Sequence, residues 1–504
     1  MEIDRNVYEL PAMKIAKVGK LQRALLAKAK SDSNYRFYSL WDKVCREDIL
    51  QEAWKRCRRK AGASGVDGVT FAEIESSGVE QWLLSLRVQL QNGTYRPEAL
   101  RRVWIPKTGG GQRALGIPTI RDRVAQMAVV LVITPIFEAD LCDEQMGFRV
   151  GRDAKMAVRQ AFWQVSQKGR EDVVDADLSD YFNTIPHGAL LKSVARRIAD
   201  GRLLAVIRSW LKAPVLDESQ RGRANKQTAR ARRENRGTPQ GGVISPLLAN
   251  IYFRRFILGW KKLGWEERTD SVLVNYADDL VICCRRGKGA EALGAMTQLM
   301  GKLGLTVNTE KTRLLSVPEE RFDFLGYTVG RYYGKDGKPY MGTRPSVKSV
   351  SRMMGVIHDE TTSQWYPSDP EIRVAVLNKK LRGWVGYFDQ GPVVREYQKI
   401  QNHLDRRLRR WLMRRRGKRG TGYRQYSDEY LYEELGLMKL PRTIGDQMKA
   451  KARKPGMRAG CGKSASPVRR AGAGNGMEDP SDGEVRLQGG KSHSKQQGTD
   501  EPGL

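Results

Sequence analysis

Cysteine and histidine are scarce, with six and four copies in 504 residues. Cys45, Cys57, Cys142, Cys283, Cys284 and Cys461 include no Cys-x-x-Cys pair, so neither a disulfide framework nor a zinc site is expected. Long apolar runs are missing too: none approaches the roughly 20 residues that a membrane-spanning helix needs. The opening Met-Glu-Ile-Asp-Arg-Asn is unlike a secretory signal, and a cytoplasmic location is expected. Acid is in deficit, with 57 Asp and Glu against 89 Lys and Arg and a formal charge of +32. Such an excess points to a polyanion whose counterions are released on binding, nucleic acid before a membrane surface. Aromatic residues stop at Tyr432, and from about Ala450 the composition is that of a disordered tail.

The whole chain is 40% hydrophobic, enough for two or three packed lobes. The most unusual stretch is Ser271 to Arg285, where Asp278 and Asp279 stand between Val272-Leu-Val274 and Leu280-Val-Ile282. The branched residues predict a hairpin bent at Ala277-Asp278-Asp279. An isolated Asp-Asp pair can simply shape a turn. Here a partner is available in Asp172-Val-Val-Asp-Ala-Asp177, which as a strand shows Asp175 and Asp177 on one face and apolar residues on the other. Three carboxylates on neighbouring strands repel one another unless hard cations lie between them, and two magnesium ions are the expected residents. The residues alone leave Asp175 and Asp177 as alternatives.

Residues 101–118 read as strand, glycine turn, strand, with Lys107 and Arg113 near the tip, a pair suited to a triphosphate. A helix-like run from Arg121 to Phe137 is interrupted by Pro135, and another helix is expected from about Asp153 to Ser166. Leu216 to Arg236 is basic and aperiodic, an exposed loop, and Gly237-Thr-Pro-Gln-Gly-Gly242 is a turn whose glycines would let the backbone approach a base pair. Leu303–Arg313 and Phe322–Val329 look like short strands. Past Ser346 the apolar period becomes three and four, predicting helices. One of them carries Leu404, Leu408, Trp411 and Leu412 on one side, with Arg406, Arg407, Arg409, Arg410, Arg414, Arg415 and Arg416 around it. That density predicts a phosphate-binding face.

The order of motifs resembles the reverse transcriptase/maturases encoded by bacterial group II introns, over roughly residues 30–440. The resemblance rests on Gly-Val-Asp-Gly-Val-Thr (65–70), Ile-Pro-Lys…Leu-Gly-Ile-Pro (105–118), Gly-Phe-Arg (147–149), Asp-x-x-x-Tyr-Phe (177–182) and Gly-Thr-Pro-Gln-Gly-Gly-Val-Ile-Ser-Pro-Leu-Leu-Ala-Asn (237–250). It continues through Tyr-Ala-Asp-Asp (276–279), Glu-Lys-Thr (310–312), Phe-Leu-Gly (324–326) and Leu-Arg-Gly-Trp-Val-Gly-Tyr-Phe (381–388). The usual Ser-Tyr before Gly-Phe-Arg and the usual Pro after it are absent. The tail holds only Cys461 and His493, so the Cys- and His-bearing endonuclease domain of longer members is not expected.

The resemblance implies an α+β right-hand polymerase with an antiparallel palm sheet, followed by an all-α thumb that doubles as the maturase domain and a disordered basic tail. The expected boundaries are an N-terminal helical extension (1–60), fingers (61–170), palm (171–340), thumb (345–440) and tail (445–504). It selects Asp177 rather than Asp175 as catalytic and metal-binding partner of Asp278 and Asp279. It makes Lys107, Arg113, Phe182 and Gln240 nucleotide-binding residues, with Phe182 under the incoming sugar. The expected activity is RNA-directed DNA synthesis together with assistance to intron splicing and mobility. The expected partners are group II intron RNA, a DNA target and primer, and deoxynucleoside triphosphates; self-association as a homodimer stays open. A splicing factor with a lapsed polymerase is the competing reading, disfavoured because a lapsed site has no reason to keep three repelling carboxylates.

Overall fold

The computed structural model describes residues 16–106, 112–216, 235–334, 336–443 and 445–446. Lys107, most of the basic loop, Cys461 and nearly all of the tail lie outside the described residues. Helices Ala16–Ser31, Trp41–Val44 and Glu47–Lys60 share one apolar cluster with the helix Ile120–Glu138, which is buried along most of its length. Pro135 does not interrupt that helix. It removes the amide that would bond the Leu131 carbonyl, and Gln22 Nε2 donates to that carbonyl at 2.9 Å instead.

The strands, in chain order, are β1 (Leu100–Pro106), β2 (Gln112–Ile117), β3 (Asp172–Asp177), β4 (Val215–Leu216), β5 (Val272–Tyr276), β6 (Asp279–Cys284), β7 (Arg313–Ser316), β8 (Phe322–Phe324), β9 (Tyr327–Tyr333) and β10 (Pro339–Pro345). β1 and β2 form an antiparallel hairpin, with the short β4 parallel to β1. The central sheet has the order β5-β6-β3-β7, antiparallel throughout. Its period of two sorts the side chains between layers. Val173, Val274, Val281 and Cys283 pack with the helix Ala154–Gln167, while Val174, Ala176, Leu273, Leu280 and Ile282 pack with the helices Ser245–Lys262 and Gly289–Lys302. With both faces covered, the sheet is a rigid floor whose polar edge lies at the ends of β3 and β6.

Two expected strands resolve differently. Leu303–Thr312 is irregular apart from a single bridge between Leu178 and Val307, and pairing begins only at Arg313. Phe322–Val329 is a hairpin rather than one strand, because Leu325 and Gly326 both take positive φ (50° and 81°) and reverse the chain.

From Ser346, whose hydroxyl caps its helix by accepting from Ser349 N at 3.2 Å, the chain is helical: Val347–Asp359, Pro370–Tyr387 and Val394–Arg415. Leu377, Leu381, Leu404, Leu408 and Trp411 lie in the core of this bundle. It is tied to the rest by Lys155 Nζ against Asp389 at 3.2 Å and by Tyr387 OH donating to the Leu325 carbonyl at 2.8 Å. Arg406, Arg410, Arg414, Arg415 and Arg416 are exposed on the last helix. Arg409 is not part of that face. It is 2% exposed, donates to the Tyr426 carbonyl and to Asp428, and stacks over Tyr423, so it braces the bundle from inside. The five described cysteines are free, and no described helix is long and apolar enough to cross a membrane.

Candidate active site

β3 ends on Asp177, and the residue opposite it is Asp279, the first of β6. Asp278 precedes Asp279 in a two-residue turn closed by the pair Tyr276 and Asp279. The bend is therefore Ala277-Asp278, one residue shorter than the sequence suggests, and Asp279 belongs to the strand. The three carboxylates meet at one end of the central sheet. Asp175 points the same way as Asp177 but pairs with Val281, two residues further in. Burial and the neighbouring Asp323 push its carboxyl up to about 6, whereas the Asp177 side chain is 44% exposed to the cleft.

Both backbone groups of Asp177 are pinned: its amide donates to Thr312 Oγ1 at 3.2 Å, and its carbonyl accepts from Asn308 N at 2.8 Å. Lys311, in the same Glu-Lys-Thr segment, brings Nζ to 3.6 Å from the Asp177 carboxylate. From the opposite side, Arg113 on β2 stands 3.9 Å from Asp278. The basic hairpin thus leans over the acidic one. All four side chains of these two pairs are 41–68% exposed, so the pairs are loose and screened, and free to exchange their partners for substrate phosphates or cations.

The turn itself is braced. Ala277 is held at φ 61°, which a residue with a Cβ rarely adopts. Asn275 Nδ2 donates to the Ala277 carbonyl at 2.9 Å and to the Asp279 carbonyl at 3.1 Å. Gly147 lies flat against it; a Cβ there would be 2.4 Å from the Ala277 nitrogen. Met146 N bonds the Asn275 carbonyl at 2.8 Å, Asn250 Nδ2 the Gly147 carbonyl at 2.8 Å, and Gln145 Nε2 the Asn250 carbonyl at 2.8 Å. Gly147, Asn250 and Asn275 carry this support, Lys311 faces Asp177, and the sequence alone assigns none of the four a role. Their motifs are visible there; their mutual contacts are not.

The remaining expected residues are distributed around the carboxylates. Phe182 is half-buried in the short helix Tyr181–Thr184 just after β3, edge-on to Tyr181, and its carbonyl accepts from Thr238 N at 2.7 Å. Gln240 is half-buried, and its carbonyl accepts from Gly116 N at 2.7 Å. Gly241, at φ 107°, is glycine for a reason the sequence did not suggest: a Cβ would sit 2.5 Å from the Gly116 carbonyl. The loop is fitted to β2, so the basic hairpin and the glutamine loop are one unit.

Among the described residues, no three His, Cys, Asp or Glu side chains converge in a ready-made metal cluster. The donor set nonetheless fits hard cations. The Asp279 carboxyl is pushed up to about 7, first by loss of water around it and then by Asp278, Asp175 and Asp177. A carboxylate whose charge is disfavoured first by burial and then by its own neighbours is one that a bound divalent ion would stabilise.

An acidic hairpin on a sheet floor, overhung by a basic hairpin and followed by a helical bundle, defines a template-directed polymerase of the right-hand type. The comparisons make the class specific. Residues 105–329 match the family described as reverse transcriptase (RNA-dependent DNA polymerase), and residues 350–428 match the group II intron, maturase-specific domain. Protein YkfC of Escherichia coli K12 is 32% identical over 356 residues, covering 64% of this chain and 90% of that protein. The putative COX1/OXI3 intron 1 protein of Saccharomyces cerevisiae is 26% identical over 56% of this chain and 38% of its own length. The group II intron-encoded protein LtrA of Lactococcus lactis is 29% identical over 48% of this chain and 39% of its own. The chain thus spans about two fifths of the latter two relatives. It belongs to the family of group II intron-encoded proteins that join a reverse transcriptase to a maturase domain.

Proposed function

We propose that this chain copies intron RNA into DNA at the Asp177–Asp278–Asp279 site and helps the same RNA to fold and splice through its helical domain. The observation that carries the reading is the register of β3 on β6, which sets Asp177 directly opposite Asp279 beside the Asp278 turn. Two magnesium ions held by these three residues would activate the primer 3′-hydroxyl and stabilise the departing pyrophosphate. In the step itself, the 3′-hydroxyl loses its proton to water, its oxygen bonds to the α-phosphorus of a deoxynucleoside triphosphate, the bond from that phosphorus to the bridging oxygen breaks, and pyrophosphate leaves. Arg113 serves the triphosphate, exchanging its loose contact with Asp278 for phosphate oxygens; Lys107 is proposed beside it from the motif alone. Phe182 lies under the incoming sugar and Gln240 beside the nascent pair. Exposed Arg406, Arg410, Arg414, Arg415 and Arg416 supply the RNA-binding face. The fingers (61–170), palm (171–340) and thumb (345–440) take their usual polymerase roles.

Asp278→Ala tests this. Primer extension on an RNA template should vanish while RNA binding persists, because binding depends on basic surface and the carboxylates serve the transfer step. Substantial extension by the variant in magnesium would overturn the assignment.

A further inference from the structure

The segment Gln145 to Arg149 buries every residue but one. Gln145, Met146, Gly147 and Arg149 are buried, whereas Phe148 between them is 57% exposed. The two neighbours are fastened from both sides. Gly147 is pressed on the Ala277 backbone and bonded by Asn250. Arg149 grips Glu138 and donates to the Cys142 and Gln145 carbonyls at 2.6 and 2.8 Å. Phe148 is left at φ 58°, a left-handed conformation that is a genuine outlier for a bulky residue. A chain that needed only a turn here would place Gly or Asn at that φ. Instead it holds a large apolar ring in strain and in water, on a loop fastened on both sides of it. Such a combination is maintained where the ring meets a ligand.

We propose that Phe148 is a contact surface for the paired end of the primer–template duplex. The inference rests on the polymerase reading above. Gly147 touches Ala277, and consecutive Cα atoms are about 3.8 Å apart, so Phe148 stands beside the turn that carries Asp278. The primer terminus must lie at that turn for its hydroxyl to react. A phenyl ring offers nothing to a triphosphate; it suits the flat, apolar surfaces of a terminal base pair and its sugars. Packing of this kind ignores sequence because every base has a π-face, as an enzyme copying any template requires. The brace around Gly147 and Arg149 then has a second use, since it fixes the ring and the catalytic turn in one rigid piece.

Phe148→Gly separates this from a packing role. Glycine adopts the φ of 58° without strain, so in the full-length protein the thermal midpoint should stay the same or rise. Affinity for an RNA template annealed to a DNA primer, read by fluorescence anisotropy without nucleotide, should fall roughly tenfold, within the range expected for removing one aromatic–base stack. Products should shorten at limiting duplex while KM for the nucleotide is unchanged, and Phe148→Leu should restore much of the affinity. Parental affinity and product length in Phe148→Gly would overturn the proposal, as would a fall in the thermal midpoint with affinity unchanged. The binding readout is independent of turnover. Failure of the parent to extend the primer would instead count against the polymerase reading itself.

Discussion

Gly147→Ala would place a Cβ 2.4 Å from the Ala277 nitrogen, 3.0 Å from the Tyr276 carbonyl carbon and 3.2 Å from Ala277 Cα. Ordinary contact begins near 3.4 Å, so the shortest approach is about 1 Å too close. All three atoms are backbone, and no rotamer can relieve the clash. The loop cannot easily retreat either, because Asn250 bonds the Gly147 carbonyl and Gln145 bonds the Asn250 carbonyl, each at 2.8 Å. The displacement must pass into the turn, which Asn275 makes a single unit from Ala277 to Asp279. A misplacement of about 1 Å at reacting groups costs on the order of a hundredfold in rate, or about 2.7 kcal/mol at 1.36 kcal/mol per factor of ten. Overpacking should also remove about 1–3 kcal/mol of stability, a loss that a thermal melt would register and that leaves the chain folded under assay conditions, since folded domains hold about 5–15 kcal/mol. The assay is single-turnover incorporation at saturating nucleotide, with duplex affinity measured separately. The expected result is a fall of about a hundredfold in the incorporation rate with affinity little changed. A variant that incorporates within about threefold of the parent would show that the turn tolerates the shift, and the geometric account of Gly147 would be wrong.

Phe182→Ala should raise the use of ribonucleotides relative to deoxyribonucleotides while retaining some synthesis, since apolar surroundings alone reject an added hydroxyl only about a hundredfold; equal selectivity in single-nucleotide extension would return Phe182 to a packing role. Neutralising Arg414, Arg415 and Arg416 should weaken RNA binding and flatten its salt dependence by about 0.7 for each phosphate no longer neutralised, and an unchanged slope would mean that this end of the helix faces solvent. Arg409→Met should do the reverse, lowering the melting temperature by removing a buried charged donor worth about 1.5–3 kcal/mol while leaving the RNA affinity of the folded protein as it was.

The fold was legible wherever a period ran long enough to be read. Helix Ala154–Gln167 begins within a residue of the expected start, where the Asp153 side chain caps it by accepting from Met156 N at 2.7 Å. The helices after Ser346 follow their apolar seam. Misreadings fall where a distant partner decides. Pro135 looks like a helix breaker until Gln22 satisfies the carbonyl it orphans. Arg409 looks like its exposed neighbours, yet at 3.6 residues per turn it falls on the inner side beside Leu408 and Trp411, where Tyr426 and Asp428 receive it. The helical period could have separated Arg409 from Arg410; the density of arginines hid it.

The site was legible to a different degree. Acidity between apolar strands marked Asp278 and Asp279 and left Asp175 and Asp177 as alternatives, because a carboxylate in such a place needs a cation or a ligand to be tolerated; only the resemblance of the motifs chose Asp177. Nothing local could mark what holds them still. Gln145 bonds Asn250 across 105 residues, and Asn250 bonds Gly147 across 103; Thr312 and Asp177 are 135 apart. These supporting residues are uncharged, so neither composition nor charge pattern sets them off. Gly147, Asn250 and Thr312 nonetheless each lie inside a motif: Gly147 in Gly-Phe-Arg, Asn250 at the end of Gly-Thr-Pro-Gln-Gly-Gly-Val-Ile-Ser-Pro-Leu-Leu-Ala-Asn, Thr312 in Glu-Lys-Thr. The proposed chemistry sits where two strands meet, and the precision that phosphoryl transfer demands would come from residues of three other parts of the chain, two loops and the helix Ser245–Lys262. A motif that carries no reactive group is therefore best read as a contact still to be located, and Phe148, the exposed member of such a motif, marks where that contact leaves the protein and meets the substrate.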